Sequence, residues 1–210
     1  MRLSYHDFKG EVNKARVYLP YFFVLNELTD SGKIKKLTHS YLTDETILEY
    51  ESKDLVEDII SLRKEYYIVS SLRENLPKDW LRFNEVIFEV SRQCSENISF
   101  YMPYYDPSLS SYLIDLSDLK IEKKITLYPP EREFNLTESQ KALEKFRTAG
   151  FECKFASPGD HAKVYLFDDE AALVGSFNFT ENAAYTNKEL GVFFFGRDIR
   201  KIREFMDFSP

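Results

Sequence analysis

The sequence predicts an α/β fold built on a mixed β-sheet, with an additional N-terminal region. In the C-terminal part of this 210-residue chain, apolar runs of strand length alternate with amphipathic segments of helix length. The last two apolar runs are separated by a short polar turn, which is typical of a β-hairpin. Strands that alternate with helices form layered sheets, and a terminal hairpin adds antiparallel pairs to such a sheet.

Five elements are expected before the hairpin. In chain order they are a strand at 97–102, a helix at 108–119, a strand at 124–128, a helix at 137–149 and a strand at 151–155. The second helix has the spacing of a capping box at 137–140 and is expected to end at Gly150. Its apolar stripe consists of Ala142, Leu143, Phe146 and Ala149.

The hairpin is predicted from the apolar runs 164–167 and 171–174, which flank the acidic turn 168–170. A closing strand is expected around 193–195. Because hairpin strands are neighbours, residues just before the first strand and just after the second should lie at one edge of the sheet.

The N-terminal part is less regular. A helix is expected at 55–62, a strand at 66–70 and a linker at 75–79. We therefore divide the chain into an N-terminal region of unknown role, residues 1–76, and a second domain, residues 77–210.

Composition favours a cytoplasmic protein without a membrane anchor. The chain is 43% hydrophobic, but it contains no apolar run of about 18 residues and does not begin with a secretory signal. Cys94 and Cys153 are isolated, which suits a reducing compartment. The net charge is −7, whereas non-specific nucleic-acid binders are usually basic. Basic clusters at 33–36 and 197–203 are either solvated faces or nucleic-acid contacts.

Polar side chains are concentrated around the hairpin. His161 and Lys163 are two residues apart, so on a strand they would point to one side, roughly 6–7 Å from each other. Ser176 and Asn178 repeat this spacing after Gly175. A fixed cation, small hydrogen-bonding groups and a histidine suit an anionic oxygen cluster, with the histidine exchanging protons or attacking phosphorus.

Each residue also has a structural interpretation. Asp168 opens a turn, where aspartate is common for backbone reasons, so it either orients the chain or takes a direct part in the chemistry. Asn178 and Thr180 could cap the segment that follows them. Glu189 could be an ordinary strand carboxylate.

The spacing His-x-Lys-x4-Asp-x6-Gly-Ser-x-Asn, with Glu189 eleven residues after Asn178, closely resembles the active-site signature of the phospholipase D superfamily. The resemblance is looser over residues 80–208, and the signature is present once. It implies a sandwich with helices on both faces of the sheet. It also implies catalytic roles for His161, Lys163, Asp168 and Glu189, and phosphate binding by Lys163, Ser176 and Asn178. Glu189 would lie against the histidine ring.

The resemblance implies a metal-independent phosphodiesterase that needs no cofactor. The favoured function is a nuclease that cleaves DNA or RNA through a phosphohistidine, in a homodimer that shares one site. Two alternatives remain open: hydrolysis or headgroup transfer on lipid phosphodiesters, and a non-catalytic nucleic-acid-binding module. Tyr104 and Tyr105 follow a strand that should end near the site, so they contact a nucleotide or pack in the core.

Overall fold

The computed structural model describes residues 2–40, 45–50, 53–71, 76–129, 136–157 and 159–207. The chain divides into two compact units, residues 1–64 and 65–210. We expected the division at 76–77. It lies earlier because the strand Tyr66–Ser70 pairs with the strand Leu190–Phe195 of the second unit. Residue 75 of the expected linker lies outside the described residues.

Among its described residues, the first unit combines three helices with a three-stranded antiparallel sheet of order β1-β3-β2. Its elements are β1 (Arg2–Ser4), α1 (Tyr5–Ala15), α2 (Tyr21–Asp30), β2 (Ile34–Ser40), β3 (Glu45–Tyr50) and α3 (Leu55–Ile60). Ser4 and Asp7 form a capping box that begins α1. Phe8, Val12, Val24 and Ile59 are buried in its core.

The second unit contains an eight-stranded mixed sheet and five helical segments among its described residues. Its elements are β4 (Tyr66–Ser70), β5 (Leu81–Arg82), α4 (Phe83–Glu85) continued by a π-helical turn (Val86–Val90), β6 (Asn97–Tyr101), α5 (Pro107–Ser110) continued by a 3-10 helix (Ser111–Leu116), β7 (Glu122–Leu127), α6 (Leu136–Thr148), β8 (Glu152–Phe155), β9 (Val164–Phe167), β10 (Ala171–Gly175), α7 (Glu181–Tyr185), β11 (Leu190–Phe195) and α8 (Ile199–Asp207).

The order of this sheet is β5-β4-β11-β10-β9-β6-β7-β8. The central pairs are antiparallel, and the pairs at both margins are parallel. As a result, β4, β6, β7, β8 and β10 end at the edge where β9 and β11 begin. The mixed α/β sheet and its hairpin confirm the predicted fold.

Helices cover both faces of the sheet, and β9 lies between them. Val164 and Leu166 pack with Ile199 of α8 on one face. Tyr165 points to the opposite face, where its ring lies against that of Phe83 from α4. Side chains alternate along a strand, so a four-residue apolar run can be buried on both sides only at the centre of the sandwich.

Two predicted helices differ in detail. The expected helix at 108–119 is a short α-helix followed by a 3-10 helix that ends at Leu116. The expected capping box is wrong in position, because α6 already begins at Leu136 and Thr137 therefore lies inside it. The apolar stripe of α6 is buried as predicted, and Gly150 follows it with a φ of 84°.

Candidate active site

The candidate site lies at the edge of the sheet where β10 ends and β9 and β11 begin. The pairing of Val174 with Val164 places Lys163 beside Gly175, whose N–H donates to the Lys163 carbonyl at 3.3 Å. Gly175 also pairs with Gly191, two residues after Glu189. In α/β sheets, ligands bind outside the carboxyl ends of parallel strands, and this is such an edge.

Gly175 and Gly191 allow β10 and β11 to approach closely at this point. A Cβ atom on Gly175 would lie 2.7 Å from Gly191 Cα, and one on Gly191 would lie 2.7 Å from the Phe177 ring. Both distances are below van der Waals contact. The two glycines therefore determine how near the residues on β10 and β11 come to each other.

His161 and Lys163 form a direct contact. Lys163 Nζ lies 2.9 Å from His161 Nδ1 and donates to the His161 carbonyl at 3.1 Å. His161 and Lys163 do not lie on a strand as expected, because β9 begins only at Val164, and the lysine side chain folds back onto the histidine. The histidine is exposed and the lysine is buried. Burial lowers the pKa of Lys163, and the nearby Glu189 carboxylate partly opposes that effect.

Ser176 is exposed and Asn178 is half-buried, whereas their neighbours Phe177 and Phe179 are fully buried. Ser176 Oγ donates to Glu189 Oε2 and accepts from the Leu190 N–H at 3.2 Å. Asn178 Oδ1 is buried and has no hydrogen-bond partner among the described residues. Asn178 does not cap α7, since Thr180 does so by accepting from the Ala183 N–H at 3.2 Å.

Glu189 lies beside this cluster but binds different partners from those expected. Its carboxylate accepts from Ser176 and, at 3.3 Å, from the Asn187 amide. The expected contact with the histidine ring is not formed, because Lys163 Nζ occupies Nδ1 of His161. Glu189 is still close enough to act electrostatically on both Lys163 and Tyr165.

Asp168 lies at the opposite end of β9, about 16 Å from Lys163 at strand rise. Its carboxylate is buried and accepts from the N–H groups of Ser95, Glu96 and Asn97 at 2.7–2.8 Å. These bonds favour the structural alternative for Asp168, in which it orients the chain, over a direct part in the chemistry. It ties the hairpin turn, where its own φ is 52°, to the start of β6.

Sequence reasoning missed two groups that hold the site in place. Ser71 follows β4, and its hydroxyl accepts from the Glu189 N–H at 2.9 Å and donates to the Asn187 carbonyl at 2.5 Å. Tyr128 follows β7 and donates to the Asp160 carbonyl at 2.6 Å, next to His161. Positions directly after parallel strands are the pattern that would have identified both.

The two tyrosines after β6 have different surroundings. Tyr104 is half-buried and packs edge-on against the His161 ring, with 6.1 Å between ring centroids. Tyr105 is buried, and its hydroxyl donates to the Tyr128 carbonyl at 3.1 Å. Tyr105 therefore packs in the core, which was one of the two roles expected for these tyrosines, whereas Tyr104 borders the site.

The basic cluster at the C-terminal helix is partly paired within the chain. Arg203 binds Asp169 and donates to Ser99 at 3.0 Å, while Lys201 binds Asp198 at 2.7 Å. In the other basic cluster, Lys33 binds Asp58 at 2.5 Å, and the Lys36 side chain lies outside the described part.

Two features are absent from the described residues. They contain no group of three or more His, Cys, Asp or Glu side chains placed to hold a metal ion. Nor does the described part of the chain contain a helix long and apolar enough to span a membrane.

The fold places a histidine–lysine pair at one edge of a mixed α/β sandwich. The family model described as "Cardiolipin synthase, PLD-like domain" matches residues 87–207, more than half of the chain, and the chain belongs to this family. The match confirms the resemblance to the phospholipase D superfamily. No curated protein matches the chain significantly.

Solved structures that are similar to the chain include the two that follow. One is the phospholipase D family member Nuc from Salmonella typhimurium, with a TM-score of 0.53 and 19% identity over 68% of this chain and 89% of that chain. The other is polyphosphate kinase from Porphyromonas gingivalis, with a TM-score of 0.53 and 14% identity over 84% of this chain and 30% of that chain. At such identities the likeness concerns the fold.

Proposed function

We propose that the chain is a metal-independent phosphodiesterase, and specifically a nuclease that cleaves DNA or RNA. The observation that carries the proposal is the exposed His161 ring, in contact with Lys163 at an open edge of the sheet. An ammonium group next to an imidazole places a fixed positive charge where a phosphate oxygen would bind. The non-catalytic alternative is less well supported, because a binding module has no need for this pair.

The proposed reaction has two displacement steps. In the first, Nε2 of His161 attacks phosphorus, the bond from phosphorus to the leaving oxygen breaks, and His161 of a second copy protonates that oxygen. In the second, the other histidine removes a proton from water, the water oxygen attacks phosphorus, and the P–N bond breaks. Two such steps replace one more difficult displacement. Lys163, Ser176 and Asn178 would stabilise the negative charge that develops on the non-bridging oxygens.

Substrate binding would also change the tautomer of His161. A protonated Lys163 can only donate, so in the observed contact Nδ1 accepts and the proton of the neutral ring lies on Nε2. Attack through Nε2 needs the opposite tautomer. We infer that a bound phosphate draws the ammonium away from Nδ1, so that the ring proton moves to Nδ1 and the lone pair of Nε2 is available to attack phosphorus.

The homodimer is part of the proposal because one chain supplies a single His161. An exposed apolar patch beside the site supports it. Val174 and Leu190 are exposed next to Ser176 and Glu189, and Val192 and Tyr66 continue the patch on the same face of the sheet. Contiguous apolar surface of this kind is typical of protein interfaces. A two-fold axis near the patch would bring two copies of the site together.

A lipid phosphodiester is the second candidate substrate, because the matching family is described by a cardiolipin synthase. The site chemistry is the same for both substrates, since each presents a phosphate monoanion between two alkoxides. A cytoplasmic location also belongs to the proposal, and it is supported by Cys94 and Cys153, which are not joined in a disulfide.

Turnover assays on single-stranded DNA, duplex DNA, RNA and phosphatidylglycerol vesicles, each with and without EDTA, test the proposed activity. We expect cleavage of at least one nucleic acid at an unchanged rate in excess EDTA. Loss of activity on chelation, restored by Mg²⁺ or Zn²⁺, would contradict the metal-free mechanism. Turnover of the lipid alone would favour the second candidate.

Subunit mixing tests the shared site. Wild-type protein is allowed to exchange subunits with an excess of His161→Ala protein. Hybrid dimers then hold one histidine, so activity should fall faster than the wild-type mole fraction. A proportional decline, or full activity from a monomer at the assay concentration, would refute the homodimeric site.

A further inference from the structure

A cavity of about 500 Å³ opens directly beside His161 within the second unit. It lies between the ends of β7 and β8, the segment that leads to His161, and the last turn of α8. Its lining residues include Lys154, Phe155, Asp160, His161, Phe205 and Asp207. None of the reaction steps above uses this space, although the attacking histidine forms part of its wall.

The apolar part of the lining is unusually accessible. Phe205 is 76% exposed and Phe155 is 51% exposed, although large aromatic side chains normally lose most of their surface to packing. Met206 lies next to Phe205 and packs partly against the core cluster under α8. Two exposed aromatic rings and a thioether therefore face one cavity next to the reactive histidine.

The polar part of the lining is acidic and fixed in place. Asp207 accepts from the Tyr101 hydroxyl at 2.7 Å, and Asp160 accepts from the Ser157 N–H at 2.8 Å. Lys154 is 4.0 Å from Glu152, so its charge is partly balanced. Two carboxylates disfavour a phosphate inside the cavity, and they would be costly to cover with an acyl chain. They can accept hydrogen bonds from exocyclic amino groups.

We propose that this cavity is a nucleobase subsite, which binds the base next to the scissile phosphate by stacking and by hydrogen bonds to its amino group. The proposal rests on the nuclease function proposed above. A flat aromatic group that carries N–H donors fits both halves of the lining, whereas a phosphate or a hydrocarbon chain fits only one. Aromatic side chains bind bases of single strands in this way with little sequence preference.

The test uses the full chain with the His161→Ala substitution, so that bound substrate is not cleaved. Binding of a fluorescein-labelled single-stranded oligonucleotide is compared with and without a further Phe205→Ala substitution. Because the stacking contribution of one side chain is lost, the dissociation constant should rise roughly 5- to 160-fold. An oligonucleotide of abasic sites, which keeps the phosphates, should bind both proteins equally.

Matched variants make the result specific. Phe22→Ala removes an exposed aromatic ring from the first unit and should leave binding unchanged, whereas Phe205→Trp should retain it. Phe155→Ala gives an independent second measurement. Thermal melting checks that each variant is folded, which an exposed ring such as Phe205 should allow.

The possible failures can be told apart. If the parent chain cleaves oligonucleotides but Phe205→Ala and Phe155→Ala leave binding within twofold, the subsite is refuted and the nuclease proposal stands. Equal weakening toward the abasic oligonucleotide would also refute it. If the parent acts only on phosphatidylglycerol vesicles, and Phe205→Ala weakens binding to those vesicles, the nuclease proposal fails and a lipid occupies the cavity instead.

Discussion

Just before β9, the His161 ring is exposed and contacts Lys163 and Tyr104. Just after β9, by contrast, the Asp168 carboxylate is buried and accepts hydrogen bonds from three backbone N–H groups. His161, Lys163 and Asp168 belong to one short signature, yet the whole of β9 separates Asp168 from the other two residues. Donors and acceptors that are already paired stabilise the fold, whereas exposed groups remain available for a ligand. The contrast fits the proposal of chemistry at one end of the motif and a structural role at the other.

Replacing His161 should produce the largest change in activity. His161→Ala removes the proposed nucleophile and proton donor, so the rate should fall by about 10⁴-fold or more. Because the ring is exposed, the melting temperature should stay close to that of the parent. Residual activity within tenfold of the parent would show that another group carries the chemistry.

Replacing Asp168 should have the opposite effect. Asp168→Asn removes the charge and turns an amide toward backbone N–H donors, which should lower the free energy of unfolding by about 2–4 kcal/mol. The turnover number of the folded protein should stay within a fewfold of the parent. Chemical denaturation and turnover measured well below the melting transition check both effects.

Asp198→Asn is the matched control for that measurement. Asp198 is exposed and pairs only with Lys201 in the described part of the chain, so its loss should change stability by less than about 0.5 kcal/mol. If Asp168→Asn abolished turnover while leaving stability intact, the structural assignment of Asp168 would be wrong.

Ser71 should combine the two kinds of effect. It lies at the reactive end but acts through Glu189, so Ser71→Ala leaves the Glu189 N–H and the Asn187 carbonyl without this partner. We expect a stability loss of about 1–3 kcal/mol and a turnover number about tenfold lower at temperatures where the protein is folded. The exposed Ser117→Ala is the control. An unchanged turnover number would leave Ser71 with a purely structural role.

Lys163 should set the alkaline limit of activity. Burial lowers the pKa of Lys163, so the ammonium should lose its proton at a pH below the ordinary lysine pKa of about 10.4. We expect kcat/KM to fall as the pH rises through this lowered pKa. In Lys163→Arg the group stays charged, so the remaining activity should persist to higher pH. An identical alkaline limb in both proteins would assign that ionisation elsewhere.

Much of the second unit was predictable because local patterns determine it. The apolar runs 164–167 and 171–174 and the acidic turn between them led directly to the central hairpin. The buried stripe of α6 followed from its 3.6-residue period in the same way. The predicted hairpin also indicated which edge of the sheet carries the site and that Lys163 lies close to Gly175.

The roles within the motif were less accessible to sequence reasoning. The four residues between Lys163 and Asp168 are the whole of β9, so the separation of the two ends was implicit in the spacing once the strand was known. The partners of Glu189 and the contribution of Ser71 depend on long-range pairing of β4 with β11. No local pattern encodes that pairing, which is why the boundary between the units was also misplaced.

The pairing of β4 with β11 affects how the protein can be dissected. A fragment limited to the family match, residues 87–207, would lose β4 and β5 and leave β11 as an edge strand. That edge carries three consecutive phenylalanines, 193–195, with unpaired backbone groups, which is a template for intermolecular pairing. Such a fragment should aggregate on expression, whereas one that begins at Glu65 keeps the edge covered.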